Sequence, residues 1–355
     1  MDYVNAQLVL STGARFNGFM LKTQCDIAHG EVVFSTGMVG YVESLTDPSY
    51  AGQILTFTYP LIGNYGVPPK QYWESTKIHA KGAIFAHLSP HYTHYAATQS
   101  LLECLRAANV PFMVGIDTRA LTIHLRTVGV VPGFMAASGI EHREFENFSM
   151  IHWVKQVSIT EPRCYGSGPI TIILVDCGAK ENIVRSMLEF PVTIKRVPYD
   201  YDYTEEQFDG VLVSNGPGDP IHCQDTINIL QKAMLKKKPI FGICLGTQLM
   251  ALASGARTYK LPFGHRAHNQ PCMDLITKRC YLTSQNHSYA IDEASLSPDW
   301  RVWFRNLNDH SIEGIAHQSL PFFSVQFHPE ASPGPMDTQW LFKKFYDAIL
   351  STAGK

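Results

Sequence analysis

Nowhere in the 355 residues is there an apolar run of the roughly 18–20 residues that a membrane span needs. The opening residues, MDYVNAQLVL, lack the basic start and the long apolar stretch of a signal peptide. An excess of one charge is missing too. Lys and Arg total 29 against 31 Asp and Glu, so the net charge is −2 and no broad electrostatic footprint for nucleic acid is expected. No C-x-x-C joins the eight cysteines, Cys25, Cys104, Cys164, Cys177, Cys223, Cys244, Cys272 and Cys280. Scattered in this way, they read as reduced thiols of a cytoplasmic protein, mostly small buried hydrophobes, with room for one reactive member. There is no G-x-x-x-x-G-K-[ST], and GAK at 178–180 is not a P-loop. GSGPIT (166–171) precedes a strand rather than following one, so it fails as a dinucleotide fingerprint. No repeat or low-complexity tract is visible. The chain thus shows no nucleotide site, and no cofactor is expected on it.

What is there is a chain too long for one ordinary core, with 45% hydrophobic residues and 17% charged ones, which predicts two well-packed globular domains. Residues 1–140 read as β-rich, with strand-like runs at 8–10, 31–36, 53–59 and 82–88. TDPSY (46–50) and GNYGVPP (63–69) are turn clusters. Two helices are predicted. One covers 100–110 on the spacing of Leu101, Leu102, Leu105 and Val110; the other covers 117–129, with Asp117 as N-cap and Gly129 as stop. Residues 140–168 carry mixed charge and end in CYGSGP, whose Gly166, Ser167, Gly168 and Pro169 have linker chemistry. This places the boundary near 165, between domains 1–165 and 166–355.

The second half alternates apolar strands with helices: strand 170–178, helix 180–188, strand 192–199, strand and loop 208–220, helix 221–235, then PIFGI. Strands buried on both faces between helices predict an α/β fold with a doubly wound, mostly parallel sheet. The first half is predicted as a β-rich α+β domain.

In KPIFGICLGTQLMALASGA (238–256), Cys244 stands between Gly242 and Gly246, where a strand breaks into a helix. This G-x-C-x-G is the cysteine counterpart of the nucleophile elbow, at the positive end of a helix. A buried cysteine in a tight turn is the bland alternative. SVQFHPE (324–330) ends a strand with His328 and Glu330. Residues i and i+2 of an extended segment face one side, so the carboxylate can orient the imidazole and leave one nitrogen for a thiol proton. Asn215-Gly216-Pro217-Gly218-Asp219-Pro220 also follows a strand. The N–H groups of Gly216 and Leu245 are positioned to bind an oxyanion, although a lone GPGDP is more often a plain turn.

Taken together, SNGPGDP, GICLG-x-Q, SQNH and FHPEASPGP make residues 170–345 resemble the class I, or triad, glutamine amidotransferases. STGMVGYVESLTDPSY (35–50), TYPLIGNYG (58–66), GIDTRALTIHLR (115–126) and DCGAKENIVR (176–185) extend the resemblance to the carbamoyl-phosphate synthase small subunit over nearly the whole chain. The resemblance implies that Cys244, His328 and Glu330 are the catalytic triad. It implies that Ser49, Gly216, Gly218, Leu245, Gln248, Asn286, Ser288 and Tyr289 hold L-glutamine. It also implies a large-subunit partner, hence a hetero-oligomer, carrying the ATP, bicarbonate and Mg chemistry, with product going to pyrimidines, arginine or both. Two alternatives stand beside it: a triad amidotransferase serving another synthase, and a catalytically weakened scaffolding or allosteric subunit.

Four positions depart from the family pattern: Thr247 for histidine, Ser288 for glycine, Tyr289 for phenylalanine and Ala267 for glycine. Ser288 would strain its loop if that glycine needs a positive φ. No metal site is expected. His265, His268, Cys272 and Cys280 have a spacing, H-x-x-H-x-x-x-C-x7-C, that fits no common zinc pattern. His91 and His94 read as a surface loop, and His287 as structural.

Overall fold

The computed structural model describes residues 2–24, 27–140 and 144–354, so Cys25 lies outside the described residues. Two compact units emerge, Met1–Ile151 and His152–Lys355.

The first unit is built on a seven-stranded sheet. In spatial order its strands are Arg15–Leu21, Tyr3–Leu10, Val131–Ala137, Ala28–Ser35, Gln53–Phe57, Gly82–Ile84 and Phe112–Met113. The first four pair antiparallel, and from Ala28–Ser35 onward the pairs are parallel. Helix Leu101–Ala107 starts with a capping box: Ser100 Oγ accepts from Glu103 N (3.1 Å), and the Glu103 carboxylate accepts from Ser100 N (2.9 Å). Helix Thr118–Val128 starts at Asp117, whose Oδ1 accepts from Ala120 N (2.8 Å), and stops at Gly129 with φ +90°. Leu101, Leu105, Phe85 and Phe112 lie in one buried cluster with Val33 and Leu55 of the sheet.

The second unit has a ten-stranded sheet. Its centre is five parallel strands in the order Val192–Pro198, Ile170–Asp176, Gly210–Val213, Ile240–Ile243 and Phe322–Val325. Alternate residues of these strands enter different cores, as a period of two requires. Ile173 and Val175 pack with Ile227, Leu230 and Leu249 of helices Gln224–Leu235 and Leu245–Ala253. Ile172 and Leu174 share a cluster with Ile183 and Met187 of Glu181–Met187 and with Phe342 and Phe345 of Trp340–Ala353. Helices on both faces make the sheet doubly wound.

Beyond Phe322–Val325 the sheet continues antiparallel, through Ile312–His317, Trp300–Asn306, Thr258–Asp274 and Cys280–Ile291. The glycine-serine stretch near 165 is not loose chain. Arg163–Gly166 pairs antiparallel with Val192–Pro198. A Cβ on Gly168 would sit 2.1 Å from the Pro191 carbonyl oxygen, so the glycine there permits close approach. The contact division accordingly falls at 151/152, ahead of the position near 165 that composition indicates.

Candidate active site

Strand Ile240–Ile243 ends at Cys244, whose φ of 54° and ψ of −106° are unusual for a residue with a side chain. The flanking glycines explain how the chain gets there. A Cβ on Gly246 would lie 2.2 Å from the Val213 carbonyl oxygen, and one on Gly242 would lie 2.7 Å from that of Gly246. The turn is fixed by Cys244 N donating to Val325 O (2.8 Å) and Gly246 N donating to Ser214 O (3.0 Å). Helix Leu245–Ala253 begins immediately after the sulfur-bearing residue. Cys244 is 1% exposed, and its Sγ lies 3.6 Å from the Asn286 carbonyl oxygen.

His328 and Glu330 follow strand Phe322–Val325, the parallel neighbour of the cysteine strand. Glu330 Oε1 is 2.6 Å from His328 Nδ1, and His328 N donates to Ser284 O (2.9 Å). The other ring nitrogen, Nε2, makes no well-formed hydrogen bond among the described residues. Burial lowers the His328 pKa, but the Glu330 carboxylate and the Cys244 sulfur outweigh it and push it up to about 10. Burial likewise raises Glu330, and Lys180 and His328 outweigh it, holding the carboxyl down at about 2.

Lys180 is the residue that sequence reasoning missed. Its ammonium donates to Glu330 Oε1 (3.1 Å) and to the Ala331 carbonyl (2.5 Å), and the residue is 2% exposed. Its backbone N–H donates to Asn215 Oδ1 (3.0 Å), which ties it to the SNGPGDP loop. The motif DCGAKENIVR contains this lysine, but nothing local in the sequence indicates that it meets Glu330 across 150 residues of chain.

Gly216 sits where a Cβ would be 2.1 Å from the Cys177 carbonyl oxygen and 2.8 Å from Leu245 Cδ2, so the loop lies directly against the start of the cysteine helix. Neither the Gly216 nor the Leu245 N–H donates to another group among the described residues. Gly218 has φ +87° and packs on Trp153. Gln248 Nε2 donates to the Tyr289 carbonyl (3.0 Å) and to Gln326 Oε1 (3.1 Å). It therefore holds the segment that contains Asn286, Ser288 and Tyr289. Ser49 belongs to the first unit, in the short 3-10 turn Pro48–Tyr50, where its N–H donates to Asp47 Oδ1 (2.8 Å).

The family departures are accommodated locally. Ser288 lies within strand Cys280–Ile291 and has no positive φ, so the expected strain is absent; its Oγ accepts from Arg266 (2.5 Å). Thr247 is fully buried and donates its hydroxyl to the Val325 carbonyl (2.5 Å) and to that of Gly242 (3.3 Å), across the two strand ends that carry the site. Ala267 is buried opposite Gln285. His265 is not grouped with His268, Cys272 and Cys280. Cys272 is buried beside Thr283, Cys280 is exposed, and His265 meets His287 instead.

A thiol beside an imidazole, which is oriented by an ionised carboxylate, with two unused N–H groups alongside, can form and break an acyl-thioester. Comparison with known proteins accords with that chemistry. Residues 173–348 match the family Glutamine amidotransferase class-I, and residues 8–135 match the family Carbamoyl-phosphate synthase small chain, CPSase domain. The chain is 46% identical to the Carbamoyl phosphate synthase arginine-specific small chain of Candida albicans, covering 97% of this chain and 85% of that one. The protein of the same name from Emericella nidulans is 45% identical, over 97% of this chain and 79% of its own. The Multifunctional protein CAD of Squalus acanthias is 46% identical over 96% of this chain, which spans only 16% of that protein's length. The chain belongs to the carbamoyl-phosphate synthase small-chain family, with a class-I glutamine amidotransferase domain as its second half.

Proposed function

We propose that this chain is the glutaminase subunit of a glutamine-hydrolysing carbamoyl-phosphate synthase. It hydrolyses L-glutamine to glutamate and ammonia in the cytoplasm and passes the ammonia to a large subunit, which holds the ATP, bicarbonate and Mg chemistry. The observation that carries the reading is the 2.6 Å Glu330–His328 pair, whose remaining ring nitrogen is left to serve Cys244 on its strained turn.

The Cys244 thiol passes its proton to His328 Nε2 as the sulfur attacks the glutamine carboxamide carbon. The N–H groups of Gly216 and Leu245 bind the oxygen as it gains charge. His328 gives its Nε2 proton to the departing nitrogen, and ammonia leaves a γ-glutamyl thioester on Cys244. His328 then takes a proton from water, whose oxygen adds to the thioester, and glutamate departs with the sulfur restored. Glu330 fixes the imidazole through Nδ1. Lys180 acts on Glu330 as a positioning residue, keeping it ionised. Gly218, Asn286, Ser288 and Tyr289 bind the amino-acid end of glutamine, and Gln248 holds Tyr289 in place for it.

The test is glutamate release with and without a carbamoyl-phosphate synthase large subunit, followed by carbamoyl phosphate formation from glutamine. Release that rises on mixing, with carbamoyl phosphate as product, is expected. If a thiol-alkylating glutamine analogue leaves Cys244 unlabelled even with the partner present, the glutaminase reading is wrong.

A further inference from the structure

His265, His287 and Glu313 lie outside the chemistry above, yet they converge. His265 and His287 are cross-strand partners in the antiparallel pair Thr258–Asp274 and Cys280–Ile291, at a register irregularity that begins after Lys260. Glu313 comes from strand Ile312–His317 of the same sheet. All three are buried, Glu313 completely. His265 Nδ1 is 3.2 Å from His287 Nε2 and 3.3 Å from Glu313 Oε1, and His287 Nε2 is 3.8 Å from the same carboxylate oxygen. Ligands about 2.0–2.1 Å from a tetrahedral zinc ion stand roughly 3.3–3.4 Å from one another, so these edges are close to those of an assembled site.

The outward-facing atoms strengthen the case. His287 Nδ1 is 2.8 Å from the Tyr289 carbonyl oxygen, which can only accept. Nδ1 therefore carries the proton and Nε2 presents a lone pair inward. His265 Nε2 is 2.8 Å from Asp309 Oδ2, a carboxylate–histidine contact that turns Nδ1 toward the same point. Gln285 donates its amide to Thr283 (3.1 Å) and Cys272 (3.3 Å), leaving its Oε1 3.2 Å from His287 Nε2. Glu313 Oε1 accepts from Asn306 (3.2 Å), while its buried Oε2 has no partner among the described residues. The His287 lone pair, the Glu313 carboxylate and the Gln285 amide oxygen thus face His265 Nδ1 at one point, an arrangement that calls for positive charge there, supplied by a proton on His265 or by a metal ion.

We propose that His265, His287 and Glu313 form a structural site for a divalent cation of the zinc type, with Gln285 Oε1 in reach of the fourth position. The donor set is imidazole and carboxylate, which suits zinc and its neighbours rather than calcium or magnesium. The ion would cross-link three strands and anchor the segment whose Asn286 carbonyl meets Cys244 Sγ.

The test uses the full chain without a polyhistidine tag, purified without chelator, with bound metal measured by elemental mass spectrometry. About one zinc per chain is expected. A chelator should lower the Tm and added zinc should restore it, as linkage requires for an ion bound by the folded state. Cobalt in its place should give the visible absorption of a tetrahedral ion. Glu313→Gln should lose the metal and Cys244→Ser should keep it. Asp309→Asn should weaken affinity by about 10–100-fold, the usual effect of an outer-shell partner. Wild-type protein that holds no metal, and whose Tm does not move when zinc is titrated in, overturns the proposal and leaves a proton shared between His265 and its neighbours. Metal that disappears in Cys244→Ser also overturns it, by assigning the ion to the thiol. Should Glu313→Gln fail to fold, the wild-type zinc titration still decides.

Discussion

Among the described residues of the second unit, two buried histidine–carboxylate assemblies differ in what is left over. Around His328, every carboxylate contact is on one side: Glu330 holds Nδ1, Lys180 holds Glu330, and Nε2 is left to Cys244. Around His265 and His287, the outer nitrogens are the ones committed, to Asp309 and the Tyr289 carbonyl, and the inner ones meet each other and Glu313. The same residue types give opposite outcomes. In the first, a lysine supplies the positive charge behind the carboxylate and frees a ring nitrogen for proton transfer. In the second, the uncommitted lone pairs converge and no ring nitrogen is left to serve a substrate. Here the imidazole left chemically available is the one whose carboxylate has its compensating cation behind it.

The strongest way to break this contrast is to remove the sulfur. Cys244→Ala should abolish glutamine hydrolysis, a loss of roughly 10⁴-fold or more by analogy with other nucleophile deletions. It should leave the far-UV spectrum unchanged. Hydrolysis at the wild-type rate would show that the thiol is not the nucleophile. Next in size is Glu330→Gln, which keeps the shape but frees the imidazole tautomer. It should reduce kcat by about 10²–10⁴-fold, with a far smaller effect on KM. An effect confined to KM would place Glu330 with the substrate instead.

Lys180→Met sharpens the comparison through pH. Glu330 is held at about 2, below its ordinary 4.5, so its ionised form stabilises the fold above about pH 4.5. That contribution is lost as pH falls through about 2. Without Lys180 the folded-state value rises and the acid side of the stability profile contracts toward neutrality. His328 has the opposite sign. Its pKa of about 10 lies above the ordinary 6.5, so its contribution is complete below about pH 6.5 and is lost as pH rises through about 10. Urea unfolding across both windows reads the two slopes separately. Lys180→Met should alter the acid slope most; an unaltered acid slope would show that the lysine does not set the Glu330 charge.

Much of this architecture was legible because local rules carried it. The alternation of apolar strands and helices announced the parallel centre, and Asp117 and Gly129 bounded their helix. Gly242, Cys244 and Gly246 announced the elbow, because only small neighbours let strand and helix approach so closely. What stayed hidden was long-range. Thr258–Asp274 carries Lys260, His265, Arg266, Asn269 and Gln270, so it lacks the apolar signal of a strand, and its pairing partners decide its form. Lys180 and Glu330 are distant in sequence, and no periodicity links them. The grouping of Glu313 with His265 and His287 depends on three strands meeting in one register. Gly166 and Gly168 read as linker by composition, yet glycine serves tight packing as readily as it serves a flexible linker.

Thr247 offers the smallest effect. Its hydroxyl serves the carbonyls of Val325 and Gly242, and the Val325 oxygen also receives the Cys244 N–H. The threonine therefore supports the site from the strand ends that hold the turn. Thr247→Val keeps the shape and removes the donor, so stability should fall by about 1–2 kcal/mol. Thr247→Ser, which keeps the hydroxyl, should lose less. The urea midpoints of the two variants measure the difference. Because neither hydroxyl bond reaches the sulfur, kcat should change far less than in Glu330→Gln. A large fall in kcat at unchanged stability would place the Thr247 hydroxyl in the chemistry of Cys244 and join the one assembly to a residue it does not now include.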